Sequence, residues 1–181
     1  MTFERNTMKL KFTGLVLAIA LAAGGAALAE TKVDTFGLGN HEAAPEKMGK
    51  IGKDITIRVR LIREKTGELA SVVTKGETVA VKVDFIGREG AKDRPIALVC
   101  YAQFIDTVAE KSAMSVNGKP CLEGRLEDSY GRFSPLDMSL RFHAEASDPA
   151  GTYGVVVKIE DSVSGQHVVL VPTYAWVDGK K

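Results

Sequence analysis

The chain has little of what usually announces chemistry. Its 181 residues hold two cysteines, three histidines and one tryptophan. Cys100 and Cys121 are too far apart for a Cys-x-x-Cys redox pair and too few for a cysteine-rich zinc site. His41, His143 and His167 share no helical or strand-like ligand spacing, so no metal site is assigned. Gly-x-Ser-x-Gly is absent, and Ser129, Ser134 and Ser139 lack a flanking nucleophile motif. The adjacent acids Glu127 and Asp128 fall in a turn, where solvated charge is the ordinary explanation, and no glycine-rich turn has a phosphate-binding pattern. A large charge excess is also missing. The net charge of +1 argues against a nucleic-acid binder, which normally shows a strong basic surplus. The expectation is therefore a protein that is not an enzyme and carries no cofactor.

What is present begins with a leader. Lys9 and Lys11 precede an apolar run from Phe12 to Ala29, and Ala27-Leu28-Ala29 fits the small-x-small cleavage rule. The run is near the lower limit for a membrane span, and its distal half is mostly Gly and Ala. Residues 1–29 are read as a cleaved signal peptide of bacterial type, which implies a periplasmic product with no transmembrane span. The leader carries Arg5, Lys9 and Lys11 against Glu4, so its removal takes the net charge from +1 to −1. The remaining chain suffices for one domain with a real core. Export also places Cys100 and Cys121 where disulfides persist, and a structural bridge is expected there, with two free thiols as the alternative.

Residues 30–52 are rich in Gly, Ala and charge without a sustained period, and are read as a flexible arm. From residue 53 to 181 the period is two. Ile55, Ile57, Val59 and Leu61 alternate with Thr56, Arg58 and Arg60. Val79, Val81, Val83 and Phe85 alternate with Ala80, Lys82 and Asp84, and Met138, Leu140, Phe142 and Ala144 with Ser139, Arg141, His143 and Glu145. Leu69 to Val73 is expected to continue the first strand after a break. Ile96 to Ile105 is apolar on both parities, as suits a central strand. Thr107 to Met114 is open between a helical turn and a short edge strand, Asn117-Gly118 is a hairpin signal, and a weak strand follows from Pro120 to Leu126. A hairpin through Ser162-Val163-Ser164-Gly165 joins Val155–Glu160 to a strand from Val168 to Val177, with Pro172 marking an edge or a bulge. The fold class is all-β, an antiparallel sandwich of seven or eight strands.

Asp148, Gly151 and Tyr153, ahead of the alternating run from Val155, resemble the tyrosine corner of immunoglobulin-like sandwiches. Strand count and this corner make residues 53–178 similar to a bacterial immunoglobulin-like or fibronectin-like module. The resemblance implies that Tyr153 bonds back to backbone upstream of it. Val155 stands where antibody domains carry their second inter-sheet cysteine, and Trp176 lies in the last strand instead of strand C. That topology would also place the first, second and fifth main strands in one sheet, gathering Arg58, Arg60, Lys82 and Arg141 on an outward face. Asp84 and Glu145 are expected at the far ends of those rows. The function expected is a non-catalytic periplasmic binding or adaptor module holding an envelope protein or an anionic envelope component. The alternative is a small carrier of copper or another ligand, with His41 and Met48 near the mature N-terminus.

Overall fold

The alternating runs form strands whose apolar parity faces inward. In a computed structural model, residues 42–88, 91, 93–106, 111–126, 132–145 and 147–177 are described. Residues 1–41, which hold the expected leader and His41, lie outside them. The described residues form ten strands: β1 (Glu46–Ile51), β2 (Ile55–Arg63), β3 (Val72–Val73), β4 (Thr78–Gly87), β5 (Pro95–Asp106), β6 (Lys111–Arg125), β7 (Ser134–His143), β8 (Gly151–Asp161), β9 (Gln166–Leu170) and β10 (Thr173–Trp176). One sheet has the order β1-β2-β4-β7; the other has β3-β10-β8-β5-β6, with β9 also on β8. All pairings among the named strands are antiparallel except the short parallel contact of β3 with β10. Strands β2, β4 and β7 together, facing β6, β5, β8 and β10, give the immunoglobulin-like arrangement.

The core lies between the sheets. Ile55, Ile57, Val59 and Leu61 of β2, Val79, Val81 and Val83 of β4, and Met138 and Leu140 of β7 are buried. They face Leu98 and Cys100 of β5, Val155, Val157 and Ile159 of β8, and Trp176 of β10. Burying each such side chain stabilises by roughly 1.5–3 kcal/mol. At one end, the rings of Phe104, Phe142, Tyr153 and Tyr174 form a chain of contacts with centroids 5.1–5.9 Å apart. The Tyr153 hydroxyl donates to the Pro149 carbonyl at 2.5 Å, and the Glu145 amide donates to Asp148 Oδ2 at 2.8 Å. These bonds make the corner that Asp148, Gly151 and Tyr153 suggest. The Cys100–Cys121 disulfide joins neighbouring strands β5 and β6 within one sheet, with Cα atoms 5.9 Å apart.

Four local readings change. Residues 46–51, assigned to the arm, form β1 along the edge of the first sheet. Only Ile51 is fully buried there, so no apolar period marked it. The inward position before it is a close-packed glycine: a Cβ on Gly49 would stand 2.6 Å from Val168 Cγ2 and 3.0 Å from Leu170 Cδ2, so those side chains would have to shift to admit one. Val72–Val73 does not continue the first strand. After the Ile62–Leu69 bridge the chain crosses to the other sheet and runs beside β10. Asn117-Gly118 does not turn a hairpin; it lies within β6, where Gly118 (φ 54°) sits at a register shift opposite Cys100–Ala102. The final strand breaks at Val171–Pro172 into β9 and β10, and the Pro172 carbonyl accepts from the Val155 amide at 3.1 Å. No helix among the described residues is long and apolar enough to cross a membrane.

Candidate functional site

The outward face of the β1-β2-β4-β7 sheet carries the charged side chains. Parity places Arg58 and Arg60 outward on β2 and Lys82 and Asp84 outward on β4, and register decides who meets whom. Arg58 lies opposite Met48 on one side and Asp84 on the other. Arg60 lies opposite Glu46 and Lys82. Asp84 is thus in the middle of the arginine rows and not at their far end, a correction that follows from the in-register pairing of β2 with β4.

Both arginines converge on that carboxylate. Arg58 Nε and Nη2 donate to Asp84 Oδ2 at 3.2 and 3.1 Å, and Arg60 Nε and Nη2 donate to the same oxygen at 3.2 and 2.7 Å. Asp84 is only 7% exposed, so this desolvated acceptor holds both guanidiniums in fixed orientations. The Arg58 guanidinium also lies 3.9 Å above the centre of the Phe133 ring, in a cation–π contact. Two guanidiniums on one carboxylate leave one positive charge uncompensated.

The remaining members of the sequence-derived set behave differently. Lys82 is exposed, and among the described residues no carboxylate pairs with it. Arg141 lies opposite Ala80, farther along the sheet, and its Nε is 3.0 Å from Glu64 Oε1. The structure therefore brings Arg58, Arg60 and Lys82 together and leaves Arg141 in a separate ion pair. Over the outward positions of β1, β2 and β4, the cations Lys50, Arg58, Arg60 and Lys82 outnumber the acids Glu46 and Asp84. Phe133 was not singled out from sequence, and two residues take places other than those expected: Asp84 is the anchor and not a distant acid, and Met48, noted only for the copper alternative, joins the charged face. Met48 is 59% exposed and stands beside Arg58. Alternation along β4 announced that Asp84 faces outward, but only the register shows what it meets.

Other polar clusters hold the frame. Asp161 is fully buried at the end of β8; it accepts from Arg94 Nη2 at 2.5 Å, Ser164 Oγ at 2.7 Å and the Val163 amide at 3.2 Å. Arg94 also reaches Asp54 Oδ2 at 3.4 Å, tying the β1–β2 turn to the β8–β9 turn. Glu77 Oε2 accepts from the Thr74 amide at 2.6 Å and its hydroxyl at 3.0 Å, while Oε1 accepts from Arg63 Nε at 3.1 Å. The Thr74 amide bond, ahead of the threonine hydroxyl and the Arg63 charge, holds the Glu77 carboxyl below the ordinary glutamate range against the opposing effect of burial. His143 Nδ1 is 3.1 Å from Thr78 Oγ1 across β4 and β7. No group of three or more His, Cys, Asp or Glu gathers among the described residues.

No protein-family model matches the chain, and no curated protein sequence matches it. Solved structures similar in outline include two of unlike kinds. One is the alkylpurine DNA glycosylase AlkC of Pseudomonas fluorescens bound to DNA containing an abasic-site analogue, at 13% identity and a TM-score of 0.38. That match covers 74% of this chain and only 30% of the glycosylase. The other is a Niemann-Pick type C2 protein from the Japanese carpenter ant, at 9% identity and a TM-score of 0.38, covering 77% of this chain and 98% of that one. Likenesses at this level carry no argument about function.

Proposed function

We propose that this chain is a non-catalytic binding or adaptor module of the bacterial periplasm, of the immunoglobulin-like kind, that recognises an anionic envelope partner. The observation that carries this reading is the stoichiometry on the β1-β2-β4 face. Arg58 and Arg60 share a single carboxylate, and Lys82, beside Arg60, has no carboxylate partner among the described residues. A local cationic surplus on a chain of almost neutral total charge steers an anion to one place. Arg141, neutralised by Glu64, is not part of the contact. The leader-like first residues and the buried Cys100–Cys121 bridge support an exported, oxidising setting.

Retention of the protein on immobilised poly-glutamate, measured against rising salt, tests the reading. Retention is expected to fall as salt screens the face, and the double variant Lys50→Glu, Lys82→Glu is expected to lose it. Both lysines are exposed, so melting should be nearly unchanged. A double variant retained like the parent sinks the proposal. The copper-carrier alternative is separated by calorimetric titration with copper, where a carrier requires at least micromolar affinity.

A further inference from the structure

Resting on that reading, we infer that the anion is the phosphate of lipid headgroups and that the β1-β2-β4 face docks on a membrane surface. The first ground is the geometry of the arginines. All four of their donor bonds come from Nε and Nη2 and end on one oxygen, Asp84 Oδ2. The Nη1 groups make no hydrogen bond among the described residues. Asp84 holds both guanidiniums along the Nε and Nη2 edge, and the Phe133 ring packs on the face of Arg58, so the unused Nη1 groups are preorganised for a planar or tetrahedral oxyanion. A guanidinium meets phosphate through two parallel N–H bonds, which a lysine ammonium cannot do.

The second ground is Met48. It is 59% exposed, lies opposite Arg58, and shares its strand face with Glu46 and Lys50. An exposed thioether among cations is of little use to a soluble acidic protein, whose carboxylates would be desolvated against it. At a membrane surface the same arrangement works: cations meet phosphates while an apolar side chain enters the headgroup boundary. Lys50 and Lys82 are exposed on the same face and enlarge the footprint. Each such cation near an anionic membrane contributes about 1 kcal/mol, a roughly fivefold change in binding.

Co-sedimentation of the protein and its variants with vesicles tests the inference, every variant carrying the same remaining chain so that other contributions cancel. The vesicles are phosphatidylcholine alone, phosphatidylcholine with phosphatidylglycerol, and phosphatidylcholine with oleate at matched charge. Binding is expected to be strongest with phosphatidylglycerol. Arg60→Lys keeps the charge but loses the fork, and should lower phosphatidylglycerol binding by about fivefold. Met48→Ser, at unchanged charge and on an exposed site, should weaken vesicle binding several-fold and leave poly-glutamate retention intact. Equal binding to phosphatidylglycerol and oleate, or parent-like binding by both variants, overturns the inference. If poly-glutamate retention is then still abolished by Lys50→Glu, Lys82→Glu, the anion-binding reading survives with a soluble acidic partner. If that retention is also indifferent to the reversal, both fall.

Discussion

Asp84 decides what the charged face is. Were it at the edge, Arg58, Arg60 and Lys82 would be three solvated cations, each free to be reversed at little cost. With it 7% exposed between the arginines, removing both arginines strands a desolvated carboxylate, whereas Lys82 has nothing to strand. The lysines, not the arginines, are therefore the proper sites for charge reversal. Glu77 is the second carboxylate with a defined task, closing the Thr74–Glu77 turn and holding Arg63. Its carboxyl is held below the ordinary range mainly by the Thr74 amide bond. A depressed folded-state value stabilises the fold above the unfolded value of about 4.3, and that contribution is lost as pH falls through the folded value. Denaturant titrations in this acid window should show the parent losing stability as pH drops, and Glu77→Gln should show a flatter acid limb from a lower neutral-pH plateau. A parallel acid limb in the variant would show that Glu77 does not contribute to it.

At the scale of strands, the disulfide acts on β6. This strand is an edge, its register with β5 shifts three times, and it carries Gly118 and Gly124 at positive φ and an exposed Pro120. Such irregularity discourages edge pairing with other chains but weakens the ladder. The Cys100–Cys121 bridge compensates by fixing β6 to β5, with both sulfurs in the core. Replacing both cysteines by alanine should cost about 3 kcal/mol in the chain-entropy account, with the sandwich retained. Amide exchange should rise first along β6; equal exchange throughout both sheets would contradict a local role. The same strand explains what the sequence could and could not disclose. β2, β4, β7 and β8 each bury one parity more completely than the other, so their type and inward faces were legible, and Pro172 marked an irregularity in the last strand without showing that it divides there. β6 has neither a clean alternation nor a turn that reverses the chain, so Asn117-Gly118 mimicked a hairpin. β3 is two residues long, and its crossing to β10 depends on a partner distant in sequence. The arginine–aspartate contact was hidden for the same reason. Parity is written in a strand, but register is a property of two strands.

For the whole molecule, the boundary of the folding unit lies before β1. Residues 44–51 connect to both sheets. The Ala44 amide donates to Thr173 Oγ1 at 3.0 Å, the Thr173 amide to the Ala44 carbonyl at 2.9 Å, and the Leu61 amide to the Pro45 carbonyl at 2.8 Å. Ile51 is fully buried, and Gly49 lets β1 close against Val168 and Leu170 of β9. This segment thus seals the flank where β2 and β9 would otherwise expose their inward apolar faces. A chain starting at Lys53 loses the Ile51 burial and these hydrogen bonds, together about 3–5 kcal/mol. That is a large fraction of the stability of a domain this size. A chain starting at Glu42 keeps them all and should melt with the full-length protein, while the Lys53 chain should melt far lower or fail to fold. The Lys53 truncation also removes Met48 and Lys50 from the docking face, so vesicle binding should fall with it even where osmolytes restore the fold. Equal melting of the two truncated chains would make 46–51 an appended strand and return the boundary to residue 53.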